Sequence, residues 1–225
     1  MSIAWNKIET VMFNMDGTLF DMDGTLLDLA FDNFFWREAV PQAWANQNNH
    51  PPEQAIQTLS PQFQQEEGSL NWYSLSFWSQ TLGMDLETLK HRHKDRIALR
   101  AGVHETLDAL EKAGKTLWLV TNAHPLVLDI KLEKTDLADR FSEIICSHEI
   151  GFAKEQAEFW TTLQTQYDFE PESSLLIDDS EPVLHAAKAF GLHVRGIRQP
   201  DSLLPPRFNL QHPALDHLTD LLKNL

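Results

Sequence analysis

Thr10–Leu26 reads TVMFNMDGTLFDMDGTL. A short apolar run, Thr10–Phe13, leads into the heptapeptide FNMDGTL, which is written again at once as FDMDGTL. The two copies differ only at Asn14 against Asp21. A brief apolar run closed by turn residues reads as a buried strand, and in open parallel sheets ligands bind beyond the carboxyl ends of such strands. An Asp-x-Asp-Gly-Thr motif supplies one pair of carboxylates, and so one site. The copy that stands at the strand tip therefore decides both where the sheet runs and where its chemistry sits.

Four further runs have the same character: Thr116–Val120 (TLWLV), Phe141–Cys146 (FSEIIC), Ser174–Ile177 (SLLI) and His193–Ile197 (HVRGI). Helical patterns lie between them, over Val103–Ala113, Pro125–Lys134, Glu155–Tyr167 and Pro182–Phe190. Strands alternating with helices of this length predict an α/β fold with a parallel sheet. Residues 29–98 break the rhythm. They hold no strand-like run and carry Trp36, Trp44, Trp72 and Trp78, four of the seven tryptophans. We read them as a helical insertion after the first strand, with apolar stripes packed together, and Arg100-Ala101-Gly102 as the return to the core.

The chain has 225 residues, 42% hydrophobic and 23% charged, an ordinary globular balance. Its formal net charge of −15 argues against a nucleic-acid polymer as partner, because phosphates are neutralised by clustered Lys and Arg. A small phosphorylated metabolite held by local cations and a metal ion is not excluded by that charge. One cysteine, Cys146, precludes an internal disulfide. The start, MSIAWNKIET, lacks the basic and apolar regions of a secretory signal, and no run approaches the ~18 apolar residues of a membrane span. A soluble, cytoplasmic chain, monomeric or weakly dimeric, is the expectation.

Polar groups recur where the apolar runs end or in the loop beyond: Asp21-Met22-Asp23-Gly24-Thr25, Thr121-Asn122, Lys154 and Asp178-Asp179. Two carboxylates and a later acidic pair form an all-oxygen set suited to Mg²⁺. A lysine and a hydroxyl converging there would neutralise and hydrogen-bond a transferring phosphoryl group. Each piece alone has a plainer reading: Asp178-Asp179 as a helix cap, Thr121 as a strand-end hydroxyl, Lys154 as a surface lysine. All of them in this order point to one site.

The chain resembles the haloacid dehalogenase-like hydrolases over nearly its whole length. DMDGTLLD is similar to that family's first motif, LVTN to its second, Lys154 to its third and LLIDDS to its fourth. The third motif often has proline after its lysine, whereas Glu155 follows Lys154 here. The resemblance implies a Rossmann-like parallel-sheet core with helices on both faces (1–28 and 99–225) and a helical cap domain (29–98). It also implies a Mg²⁺-dependent phosphatase. Asp21 would be the nucleophile and Asp23 the general acid and base; Asp21, Asp23, Asp178 and Asp179 would bind the metal. Thr121, Asn122 and Lys154 would hold the phosphoryl oxygens. Asp23 favours phosphate-ester over carbon–halogen cleavage, since it can protonate a poor leaving group. LLDLAFDNFFW, NWYSLSFWSQTLGMD and VTNAHP look most similar to bacterial purine 5′-nucleotidases, which implies GMP or IMP as substrate; a phosphosugar or phosphoglycolate-type substrate is the alternative.

Chemistry favours the second copy of the heptapeptide, because the Asn14 amide is a feeble nucleophile and brings no charge to a metal. Backbone physics favours the first, since a central parallel strand is a continuous apolar run and burying Asp16 unpaired costs several kcal/mol. In one arrangement Thr18–Phe20 ends the strand and Asp21 stands at its tip, with the preceding residues displaced. In the other TVMF stays in the sheet, Asn14 takes that place, and the enzyme is weakened to a nucleotide binder. We expect the first. Of the cap aromatics, Trp72, Tyr73 and Phe35 are candidates to stack on a purine, and Lys90-His91-Arg92-His93-Lys94 reads as a solvated helix face.

Overall fold

The computed structural model describes residues 3–15 and 24–225. Six strands form one all-parallel sheet in the order β3-β2-β1-β4-β5-β6. They are β1 (Thr10–Phe13), β2 (Thr116–Thr121), β3 (Glu143–Cys146), β4 (Ser174–Ile177), β5 (His193–Ile197) and β6 (Ala214–Leu215). The two-residue β6 at the edge is too short to be seen as an apolar run; the other five coincide with the runs in the sequence.

Side chains alternate between two cores, as the strand period of two demands. Val11, Phe13, Leu117, Leu119, Leu175 and Ile177 face one cluster, with Leu107 and Leu110 from helix Val103–Lys112 and Leu128 from helix Pro125–Thr135. Met12, Trp118, Val120 and Leu176 face the other. There they meet Phe159, Trp160 and Leu163 from helix Ala157–Gln166, and Val183, Leu184 and Ala187 from helix Glu181–Phe190. Helices thus cover both faces. The strand order turns back at β1, with β2 and β3 on one side and β4 to β6 on the other. That reversal opens a crevice at the carboxyl ends of β1, β2 and β4, where doubly wound sheets bind ligands.

β1 is TVMF. Phe13 lies level with Leu119 of β2 and Ile177 of β4, so Asn14, not Asp21, follows the last residue of the central strand. The strand that occupies the central place ends at Phe13, and Thr18–Phe20, expected to end it, lie outside the described residues. A continuous apolar run, buried from Val11 to Phe13, wins the central position over one that would carry Asp16 and Gly17 into the sheet. Residues 16–23, and with them Asp21 and Asp23, lie outside the described residues.

The chain leaves and re-enters the sheet layer along an antiparallel stem. Leu27 bridges Leu99, Asp28 N–H donates to the Ala98 carbonyl, and Arg100 N–H donates to that of Leu26. Between them run the helices Ala30–Phe34, Val40–Asn48, Pro52–Glu66, Leu70–Tyr73, Leu75–Leu82 and Leu86–Arg92, with a π-turn over Phe35–Ala39 joining the first two. Their core gathers Phe35, Trp36, Leu59, Phe63, Trp72 and Trp78, and closes on Ala123, Val127 and Ala153 beside the sheet.

The run from Lys90 to Lys94 is not uniformly solvated. Lys90 is buried: its Nζ sits 2.7 Å from Asp32 Oδ1 and over the rings of Phe35 and Phe31. Helical spacing sets Lys90 on the inward face four residues after buried Leu86, while His91 and Arg92 point outward. Lys131 approaches the second Asp32 oxygen at 2.5 Å, so one carboxylate serves two buried lysine amino groups. Desolvation holds Lys131 well below the usual lysine range.

Candidate functional site

Each strand end at the crevice contributes a polar residue. Asn14 follows β1, Thr121 closes β2 and Asn122 follows it, Asp178 and Asp179 follow β4, and Lys154 lies in the loop before helix Ala157–Gln166. All are at most 5% exposed, so they meet in a low-dielectric pocket where each must find partners.

Lys154 Nζ spends three donors: on Asn14 Oδ1 at 2.9 Å, the Val120 carbonyl at 3.1 Å and Asp178 Oδ2 at 2.6 Å. Its backbone is pinned too, N–H by Asn122 Oδ1 at 2.9 Å and carbonyl by Trp160 Nε1 at 2.8 Å. Asp178 turns its other oxygen onto the N–H of Ser180. Asp179 Oδ1 accepts from Asn14 Nδ2 at 3.1 Å and Thr25 Oγ1 at 2.8 Å. The Thr121 hydroxyl accepts from the N–H of Ala123.

The duplicated heptapeptide resolves into one composite motif. Phe13-Asn14-Met15 comes from the first copy and Gly24-Thr25-Leu26 from the second. The carbonyl of Met15 accepts from the N–H groups of both Leu26 and Leu27, clipping the departing and returning chain together. Gly24 fits because a Cβ there would lie 2.8 Å from the carbonyl oxygen of Pro200. Asn14 and Thr25, one from each copy, meet on the same carboxylate oxygen.

The acidic pair is short of positive charge. Burial, and then the neighbouring Asp178, push the Asp179 carboxyl up to about 7, against the pull of Thr25, Arg207 and Asn14. Among the described residues, Asp179 Oδ2 is buried with no hydrogen-bond partner. An orphaned, desolvated carboxylate oxygen beside a second carboxylate fits a hard divalent cation. Among the described residues no three His, Cys, Asp or Glu side chains gather as a ready metal cage.

Of the residues singled out in the sequence, the structure brings together Thr121, Asn122, Lys154, Asp178 and Asp179; Asp21 and Asp23 lie outside the described residues. Trp72 and Phe35 are packed inside the helical core and present no free ring face, which corrects their reading as base-stacking residues. Tyr73 is also buried, and its hydroxyl donates to Glu155 Oε1 at 2.7 Å. Three contributors were missed. Thr25 was visible within the motif. Glu155 was visible only where a proline often stands. Arg207 donates to the carbonyls of Asp179 and Ile197, both at 2.8 Å, from a stretch without periodicity.

The family signature described as haloacid dehalogenase-like hydrolase matches residues 11–197. The chain belongs to the haloacid dehalogenase-like hydrolases. Within that family it is similar to the GMP/IMP nucleotidase YrfG of Escherichia coli (strain K12), 37% identical over 226 residues that cover 100% of this chain and 99% of the relative. In fold it is similar to a HAD phosphatase from Thermococcus onnurineus, with a TM-score of 0.77 at 20% identity, covering 96% of this chain and 97% of the other. It is also similar to the HAD-hydrolase YfnB of Bacillus subtilis, whose magnesium-bound crystal structure shows interdomain movement; the TM-score is 0.65 at 20% identity, covering 97% and 98%. Among the described residues no helix is long and apolar enough to cross a membrane.

Proposed function

We propose that the chain is a Mg²⁺-dependent phosphomonoesterase acting on purine nucleoside 5′-monophosphates such as GMP and IMP, with the helical layer 29–98 as its cap. The observation that carries this reading is the buried Lys154–Asp178–Asp179 cluster at the reversal point, with Asp179 Oδ2 buried and without a hydrogen-bond partner among the described residues. Full-length similarity to a GMP/IMP nucleotidase supports the substrate class.

Asp178 and Asp179, with Asp21 and Asp23, would hold Mg²⁺, which when bound offsets carboxylate charge and polarises the phosphoryl oxygens. Asp21 attacks phosphorus, the ester P–O bond breaks, and Asp23 gives its proton to the leaving ribose oxygen. Asp23 then takes a proton from a water that attacks phosphorus and releases the Asp21 carboxylate. Lys154 faces the phosphoryl oxygens by exchanging one of its two contacts with neutral oxygens, those of Asn14 and Val120, and keeps its charge-assisted contact with Asp178. Thr121 and Asn122 complete the cradle.

Asn14 at the strand tip favours a second reading, a phosphate-binding protein with weak turnover. The test is phosphate release from GMP, IMP, a sugar phosphate and phosphoglycolate, with Mg²⁺ and with chelator, in the wild type and in Asp21→Asn. Release from the purine nucleotides, abolished by chelator and reduced at least ~10³-fold in Asp21→Asn, is expected. Nucleotide binding without release, with turnover gained in Asn14→Asp, would establish the second reading.

A further inference from the structure

The Glu155 carboxylate joins the helical layer to both loops that carry the phosphate-binding groups. Oε1 accepts from the Tyr73 hydroxyl at 2.7 Å, and Oε2 accepts from Asn122 Nδ2 at 2.9 Å. The same Asn122 amide accepts the N–H of Lys154 through Oδ1 at 2.9 Å. Tyr73, on the helix Leu70–Tyr73, thereby reaches Lys154 through three hydrogen bonds, two of them onto an ionised acceptor and so stronger than neutral ones. The hydroxyl is delivered firmly. Ser69 caps its helix, Trp78 Nε1 donates to the Trp72 carbonyl, and His148 Nε2 lies 3.2 Å from the Leu70 carbonyl.

The Asn122 amide cannot choose its orientation alone. Its Nδ2 end needs an acceptor and its Oδ1 end a donor, and Glu155 and the Lys154 N–H supply one each. Without Glu155 the amide could turn, and the backbone beneath Lys154 would lose a buried partner. Glu155 is only half-buried, so with Tyr73 withdrawn its carboxylate is drawn toward water and away from Asn122.

We propose that Glu155 is a positioning residue that couples seating of Tyr73 to the alignment of Asn122 and Lys154, so that phosphate binding is organised only under a docked helical layer. The proposal deepens the phosphatase reading above and rests on it for its kinetic consequences. It also assigns a role to the residue that departs from the family's usual proline.

The test uses Tyr73→Phe and Glu155→Gln, singly and together, in the full chain. Tyr73→Phe keeps the ring in its core and removes one hydroxyl. Glu155→Gln keeps shape and removes the charge and one acceptor. Native-state amide exchange read at the Lys154 N–H should rise about tenfold in each single variant, with the double variant no faster than Glu155→Gln alone. Should Tyr73→Phe leave that amide at its wild-type rate, the coupling is wrong; should Glu155→Gln do so, the positioning role is wrong. In phosphate release, kcat should fall about tenfold in both single variants, with KM within about twofold. A wild type that releases no phosphate overturns the function reading, and the exchange measurement still decides the coupling. Equal folded fractions by circular dichroism establish that either variant reports on the site.

Discussion

Asn14 Nδ2 donates to Asp179 Oδ1 at 3.1 Å, joining residues 165 positions apart across the mouth of the sheet. Its oxygen accepts from Lys154 at 2.9 Å. An amide does here what a carboxylate could not, since it offers a donor to one side and an acceptor to the other. A carboxylate at the same place would stand against Asp179, whose proton is already held up to about 7 by burial and Asp178.

Asn14→Ala should therefore cost stability as well as organisation. It leaves Lys154 and Asp179 each one partner short in a buried site, a loss of about 1–3 kcal/mol. Urea denaturation should show a lower midpoint with an unchanged m-value. Asn14→Asp should give no more phosphate release than the wild type if Asp21 is the nucleophile. It should also show a larger rise in Tm on adding Mg²⁺, because a third carboxylate crowds the pair.

Asp179 gives the proposed metal site a pH signature. Its carboxyl titrates near 3.8 when unfolded and at about 7 when folded. Between those values the folded state keeps a proton that the unfolded state has lost, so stability from this group falls as pH rises from about 4 to about 7. Mg²⁺ held at the proposed site would compete with that proton. The Tm gain on adding Mg²⁺ should thus be larger near pH 8 than near pH 5.5. Asp179→Asn should remove both the dependence and most of the gain, as read by thermal melts with Mg²⁺ and with chelator.

The strands were legible because each is a short apolar run between turn residues. The site was legible in part because its charged groups sit just beyond those runs or in the next loop. The heptapeptide was ambiguous for a physical reason: both copies carry the same Gly-Thr-Leu ending, and chemistry and backbone burial choose different copies. The fold takes Asn14 from one and Thr25 from the other, a splice that no reading of either copy alone contains. Lys90 was misread because its counterion, Asp32, is 58 residues away, and local charge density says nothing of a distant partner. Glu155 could be noticed only as a proline that is missing; its partners Tyr73 and Asn122 come from separate parts of the chain.

The shared carboxylate in the helical layer should be a stability hot spot. Asp32 lies between Lys90 at 2.7 Å and Lys131 at 2.5 Å, with all three side chains buried. Asp32→Asn leaves two buried lysine amino groups without that carboxylate, and removing one partner of a buried pair costs about 3–5 kcal/mol. Lys90→Met should cost less, since Asp32 keeps Lys131 and the methionine fills the space over Phe31 and Phe35. Equilibrium denaturation of the two variants should rank them in that order.

His148 should produce a pH dependence of the opposite sign. It is held down to about 4 by burial, and secondarily by His124. A neutral ring with its proton on Nε2 donates to the Leu70 carbonyl, the tautomer that the network requires. The unfolded chain takes up a proton near 6.5 that the folded chain refuses until about 4. Stability from this group is therefore complete above about 6.5 and is lost as pH falls toward 4. Over that interval it works against Asp179, and the two slopes partly cancel in the wild type. His148→Gln keeps an amide donor for Leu70 and cannot titrate, so its melting temperature should fall more steeply with rising pH between about 4 and 6.5 than that of the wild type. Asp179→Asn should do the reverse, rising with pH over the same interval. Thermal melts of the two variants in chelator should give slopes of opposite sign; parallel slopes would show that one of these groups does not titrate as its burial demands.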